Sequence, residues 1–342
     1  MSFAGRPLLI KQLPPSARPS ANIRGERSRD NTPLSWNEFF DDCCNVNVDG
    51  DTFNVYRKGT SGPVFYLLHG GGYSGLTWAC LTADLSSRIQ CQILAPDLRG
   101  HGQTRTKDES DLDIMNIYNS IFGNGDDEPP LVCLVGHSMG GALAIHVAAT
   151  NEIPNMVGLV VIDVVEGSAM DALSGMLTFL RGRPAVFDSE EKAVAWCLQS
   201  GTTRNRQAAR ISMPSQIRKM DDGKYTWRID LTTTEPFWVG WFQGLSSKFL
   251  SCSPPKLLVL AGVDRLDKEL TVGTLYSTNI AQMQGKFQNT ILPKVGHAVQ
   301  EDSPDRLADE LARFAIRNRF AEALPGVKIA AARPLMRMGM MI

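Results

Sequence analysis

Ser138 stands in Gly136-His137-Ser138-Met139-Gly140, and the flanking sequence gives this serine a shape as well as a spacing. Before it, Leu131 to Val135 is an unbroken apolar run of strand length. After it, Ala142 to Ala149 is rich in alanine and predicts a helix. A glycine-flanked serine between strand and helix has the pattern of a nucleophile elbow. Its sharp turn holds the hydroxyl away from the backbone in a strained conformation. Gly136 and Gly140 let strand and helix approach closely. The helix N-terminus then aims free N–H groups at an oxyanion. The chemistry this predicts is nucleophilic attack on an acyl carbon. The five-letter pattern alone recurs by chance, and its setting makes it specific.

A serine hydroxyl needs a base to take its proton, usually a histidine oriented by a carboxylate. The histidines are His69, His101, His137, His146 and His297. The elbow resembles that of the α/β-hydrolases, in which the order is serine, carboxylate, histidine. Only His146 and His297 follow Ser138. His146 falls about two turns along the helix, away from its active end. His297 lies in a loop after the run Phe287 to Leu292, where this fold places its base. Two carboxylates compete for the third role. Asp163 follows Leu159 to Ile162, and Asp264 follows Leu257 to Ala261. Either strand end can reach His297, and topology alone favours Asp264.

The oxyanion needs two backbone donors. Met139 supplies one as the residue after the serine. His69-Gly70-Gly71-Gly72 resembles the HGGG motif of lipases and esterases, and points to Gly71 as the second. Asp97-Leu98-Arg99-Gly100-His101-Gly102 reads as a structural loop, since no role in the triad remains for it. Serine at the elbow resembles esterases rather than epoxide hydrolases or dehalogenases, which carry aspartate there. This chemistry requires no cofactor and no metal.

The elements that position these residues alternate strand and helix, which predicts an α/β fold with a mainly parallel central sheet flanked by helices. Expected strands are 51–57, 64–68, 93–95, 131–135, 159–162, 257–261 and 287–292, with a closing helix over 304–320. Residues 1–34 are rich in Pro, Arg, Ser and Asn and are expected to be disordered. Residues 35–322 form the hydrolase domain, and 323–342 a tail without clear structure. Residues 166–254 break the rhythm and read as an inserted cap. Its cluster of Trp196, Trp227, Trp238, Trp241, Phe237 and Phe242 fits cap core better than a substrate cleft.

A formal net charge of −1 over 342 residues suggests neither nucleic acid nor a polybasic membrane surface as partner. No apolar run approaches bilayer-spanning length, and no secretory leader is predicted. Seven dispersed cysteines without C-x-x-C spacing predict reduced thiols, hence a cytoplasmic and/or nuclear protein.

Longer strings narrow the resemblance. Ile162-Asp163-Val164-Val165-Glu166-Gly167, Ala169 to Leu173, Phe179 to Pro184, Tyr225 to Arg228, Gly240-Trp241-Phe242, Leu260 to Asp267, Gln282 to Gln288 and Gly296 to Val299 are similar to protein phosphatase methylesterases. The likeness runs from about Pro33 to Glu322. It implies demethylation of the C-terminal leucine methyl ester of the type 2A protein phosphatase catalytic subunit, which becomes the expected partner. It implies Asp163 as the triad acid, with Asp264 structural. It implies a Met-x-x-Gln partner-recognition motif, here Met213 to Gln216, and a site that rearranges when the phosphatase binds. Thr274 to Ala281 departs from the family as an extra stretch, and the tail after Glu322 also departs. Two other readings remain beside it: a small-molecule carboxylesterase, and a phosphatase-binding inhibitory module.

Overall fold

The computed structural model describes residues 30–107, 129–262 and 287–329. Asp264, the extra stretch 274–281 and the ends 1–29 and 330–342 lie outside the described residues. The strands are β1 (Asp42–Val48), β2 (Asp51–Lys58), β3 (Val64–Leu68), β4 (Gln92–Pro96), β5 (Val132–His137), β6 (Met156–Ile162), β7 (Val186–Phe187), β8 (Ile217–Lys219), β9 (Tyr225–Trp227), β10 (Lys256–Leu260) and β11 (Phe287–Ile291). The helices are α1 (Ala79–Ser86), α2 (Met139–Thr150), α3 (Glu166–Arg181), α4 (Glu190–Ser200), α5 (Arg206–Gln216), α6 (Glu235–Phe242), α7 (Leu245–Ser251), α8 (Val299–Asp302) and α9 (Pro304–Arg317).

Eight strands make one sheet in the order β1-β2-β4-β3-β5-β6-β10-β11. From β4 to β11 every neighbouring pair is parallel, and β1 and β2 add an antiparallel edge. The central strands read as continuous apolar runs because both faces are covered. Phe65 and Leu67 point to one face, under α1 and α9, with Leu81, Leu307, Leu311 and Phe314. Val64, Tyr66 and Leu68 point to the other, with Ala142 and Ile145 of α2 and Leu245 and Phe249 of α7. The fold is that of an α/β-hydrolase.

Differences from expectation have local causes. β1 was not anticipated from its mixed sequence. It pairs with β2 through a tight turn at Asp49 and Gly50, both at positive φ (48° and 84°). The closing helix stops at Arg317 rather than Phe320. Arg319 takes φ 60°, and the Phe320 ring turns back to lie 5.8 Å from Phe314.

Residues 30–34, within the segment expected to be disordered, are tied to α5. The Leu34 N–H donates to the Arg210 carbonyl at 3.1 Å, and Arg210 pairs with Asp30 at 2.9 Å. The start of the expected tail is also held: the Leu324 N–H donates to the Arg88 carbonyl at 2.9 Å, and Ile329 packs on the core.

Between β6 and β10 the chain builds α3 to α7 and a small antiparallel sheet, β7-β9-β8. This insertion has its own core of Phe187, Val194, Cys197, Ala209, Met213 and Ile217. Trp196 and Trp227 pack edge-on at 5.6 Å against that core. Trp238 and Phe242 are buried on α6, while Phe237 is exposed beside Trp241. All seven cysteines are free thiols. Among the described residues, no helix is long and apolar enough to cross a membrane.

Candidate active site

β5 ends at His137 and α2 begins at Met139, so Ser138 alone makes the turn. Its backbone sits at φ 53°, ψ −120°, a region that non-glycine residues rarely adopt. The surroundings hold it there. The Ser138 N–H donates to the Ile162 carbonyl at 3.0 Å. The Ser138 carbonyl accepts from the N–H groups of Gly141 and Ala142 at 2.9 and 3.0 Å. Both flanking glycines are required by space: a Cβ on Gly136 would collide with the Gly140 carbonyl, and one on Gly140 with the Leu68 carbonyl.

Asp163 and His297 are brought together behind this turn. His297 Nδ1–H donates to Asp163 Oδ2 at 2.7 Å. Asp163 Oδ1 accepts the Ala261 N–H at 2.9 Å, which ties the carboxylate to the end of β10. The Asp163 side chain is fully buried, whereas that of His297 is 44% exposed. Asp163 itself adopts φ 53°, and its N–H donates to the Val259 carbonyl at 2.8 Å. Ser138 Oγ makes no hydrogen bond to a described residue, so the link from serine to base is unmade here. Such links are often long in free enzymes and close with substrate bound.

Two buried histidines build the loop beside the serine. His69 Nδ1–H donates to the Gly70 carbonyl at 2.8 Å, and His69 Nε2 accepts the Leu98 N–H at 2.9 Å. His101 Nδ1–H donates to the Arg99 carbonyl at 2.8 Å, and His101 Nε2 accepts the Gly72 N–H at 2.9 Å. Each imidazole therefore needs one bare nitrogen. Burial supplies it: it holds His69 well below its usual value and pushes His101 down to about 4. The loop read from sequence as merely structural thus clamps the glycine loop. Beside it, Asp97 accepts from the Gly75 and Gln103 N–H groups at 2.7 and 2.8 Å, while burial pushes its carboxyl up to about 6.

The N–H groups of Gly71 and Met139 have no acceptor among the described residues. Gly71 lies over the elbow, where a Cβ would stand 3.7 Å from Met139 Sδ and 3.5 Å from Leu231 of the insertion. At Gly70 a Cβ would stand 3.2 Å from the Ser138 Cβ.

Met213 and Gln216, the expected partner-recognition residues, are interior, at 1% and 8% exposure. α5 turns them away from solvent. Met213 packs in the insertion's core, and Gln216 Nε2 donates to Ser212 Oγ at 2.9 Å.

Sequence reasoning missed His137, Gln300 and Glu301. His137 Nε2–H donates to the His297 carbonyl at 2.9 Å. Gln300 and Glu301 are buried on α8, just after the histidine. The polar run Gln300 to Ser303, between the apolar Val299 and the helix start at Pro304, was the available signal. Among the described residues, no group of three or more His, Cys, Asp or Glu side chains is arranged to hold a metal ion.

Residues 65–310 match the Alpha/beta hydrolase family. The probable protein phosphatase methylesterase 1 of Caenorhabditis elegans is 59% identical over 316 residues, covering 90% of this chain and 84% of its own. The protein phosphatase methylesterase 1 of Homo sapiens is 45% identical over 353 residues, covering 88% and 89%. Among solved structures, an E-2-(acetamidomethylene)succinate hydrolase superposes with a TM-score of 0.63 at 21% identity. It covers 80% of this chain and 98% of its own, a likeness of fold alone. The elbow, the Asp163–His297 pair and this extent of identity agree: the chain is a carboxylic ester hydrolase that belongs to the protein phosphatase methylesterase family.

Proposed function

We propose that this enzyme removes the methyl ester from the C-terminal leucine of the type 2A protein phosphatase catalytic subunit, using Ser138, His297 and Asp163. The observation that carries the reading is the buried Asp163 carboxylate, 2.7 Å from His297 Nδ1, behind a strained serine elbow. The substrate class follows from the relatives' names, which describe methylesterases of protein phosphatases.

Ser138 Oγ attacks the ester carbonyl carbon while His297 Nε2 takes its proton. Asp163 holds the imidazole in the tautomer with a bare Nε2 and stabilises the imidazolium. The N–H groups of Gly71 and Met139 hold the oxyanion, each worth roughly 3 kcal/mol of barrier. The tetrahedral intermediate collapses, and the methoxide leaves as methanol with the proton from His297. Water then attacks the acyl-enzyme, giving its proton to His297. Collapse releases the free leucine carboxyl group and returns a proton to Ser138.

Residues 166–254 act as a cap, an assignment supported by Leu231 lying against the glycine loop. Met213 and Gln216 serve partner recognition by seating α5 from within rather than by touching the phosphatase. A direct test compares kcat/KM for methylated phosphatase with that for short nitrophenyl esters. Strong preference for the phosphatase is expected; preference for the small esters would favour a general carboxylesterase.

A further inference from the structure

Behind the base lies a buried polar chain that the ester chemistry does not use. Glu301 is 1% exposed and forms no ion pair among the described residues. Hydroxyl groups satisfy it instead. Thr77 Oγ1–H donates to Glu301 Oε1 at 2.6 Å and Thr203 Oγ1–H donates to Oε2, while the Ser212 hydroxyl stands near enough to favour the charged carboxyl. The two donors come from the 3-10 turn after the glycine loop and from the link between α4 and α5, and Ser212 belongs to α5. Burial pushes the Glu301 carboxyl up to about 7 despite these bonds, with Asp302 acting in the same direction.

From Thr77 the chain runs toward the base. Gln300 Nε2 donates to Thr77 Oγ1 at 3.0 Å and to His137 Nδ1 at 3.3 Å. His137 Nε2–H donates to the His297 carbonyl at 2.9 Å. The donors radiate from the Gln300 amide, through Thr77 to the Glu301 carboxylate at one end and through His137 to the His297 carbonyl at the other. The His137 ring also lies 4.7 Å from that of His297, and 2.9 Å from where a Gly70 Cβ would stand.

Helix α5 lies against both this chain and the glycine loop. The Ser212 hydroxyl stands beside the Glu301 carboxyl, and Ser215 Oγ lies 2.5 Å from Ser74 Oγ, just after the glycine loop. Through Thr203 and Ser215 the insertion is thus joined both to the segment that follows the base and to the loop beside the serine.

We propose that Glu301 is a positioning residue for His297: it anchors the chain Thr77–Gln300–His137 that ends on the His297 carbonyl and ties it, through Thr203, to the segment that enters helix α5. The seat of α5 then sets where the imidazole stands relative to Ser138. The inference rests on His297 acting as the base. A backbone displacement of about 1 Å at a catalytic group costs roughly 100-fold in rate, so the anchor's effect falls on turnover.

The test measures kcat and KM of Glu301→Gln and Thr77→Val beside the wild type and Ser138→Ala. Methylated phosphatase and p-nitrophenyl acetate serve as substrates, and active sites are titrated with a fluorophosphonate taken to completion. Glu301→Gln puts an amide donor against hydroxyl donors. Thr77→Val removes the link to Gln300 and leaves the carboxylate its bond from Thr203. The expected result is a loss of about 10- to 100-fold in kcat per titrated site for both variants, on both substrates. KM should stay within about threefold, because the interaction lost is not one with bound substrate. Unchanged kcat per titrated site, even with a lowered Tm, would make Glu301 a packing residue and overturn the proposal. Should Glu301→Gln fail to fold, Thr77→Val decides alone. The wild type and Ser138→Ala separate the two claims. Absence of Ser138-dependent hydrolysis in the wild type removes the catalytic reading and this inference with it; its presence leaves that reading standing whatever the two variants do.

Discussion

Asp163 accepts from His297 Nδ1 with one carboxylate oxygen and from the Ala261 N–H with the other. A single side chain at the end of β6 thereby fixes both the imidazole and the neighbouring strand end. Asp163→Asn should break the first bond or impose the wrong tautomer, lowering kcat by about 10⁴-fold. Asp264→Asn should cost no more than about tenfold if Asp264 lacks the orienting role. Steady-state kinetics on a small ester decides between the two carboxylates, and the reverse ranking would restore Asp264 as the acid.

The elbow glycines should be irreplaceable for steric reasons. Gly140→Ala drives a Cβ into the Leu68 carbonyl, and backbone there cannot yield cheaply. A loss of about 3 kcal/mol or more is expected in urea unfolding, an amount associated with overpacking or strain in a core.

His101 links pH to the glycine loop. Its folded pKa, about 4, lies below the ordinary 6.5, so the folded state binds fewer protons between those values than the unfolded chain. Its contribution to stability is therefore complete above about pH 6.5 and is lost as pH falls toward 4. Protonated His101 can no longer accept the Gly72 N–H. His101→Leu leaves that N–H unpaired, which should cost about 1–3 kcal/mol at neutral pH and flatten the acid limb of the stability profile. Urea melts across this range measure both effects.

Met213 offers a test of interior against surface action. Met213→Ala opens a hole beside Phe187 and Val194, and a buried methionine truncated to alanine typically costs about 2–5 kcal/mol. The expected outcome is a lowered Tm together with weaker phosphatase turnover. An unchanged Tm with a raised KM for the phosphatase alone would return Met213 to the surface.

Much of this was legible in the chain because local pattern and tertiary role coincide. Val64 to Leu68 is entirely apolar and lies in the middle of the sheet, so its bounds were readable from sequence. Ser138 and His297, the proposed nucleophile and base, were marked by flanking glycines and chain order. Asp163 did not, because two strand ends looked alike; its pairing depends on loop geometry around Ala261 that periodicity does not encode. β1 was hidden by alternating Cys, Asn and Val, although Asp49-Gly50 marked the hairpin. The burial of Met213 and Gln216 was not legible, because a motif specifies spacing without specifying which side of a helix faces solvent. His137, Gln300 and Glu301 escaped notice because their partners are far away in sequence, with Thr77 more than 200 residues before Glu301.

The most direct test of the central claim follows methyl loss from carboxyl-methylated type 2A phosphatase catalytic subunit, with wild-type protein and Ser138→Ala in parallel. Rapid loss with the wild type and none above background with Ser138→Ala is the predicted result. Loss that persists with Ser138→Ala, or no loss from a wild-type protein that still hydrolyses small activated esters, would contradict it.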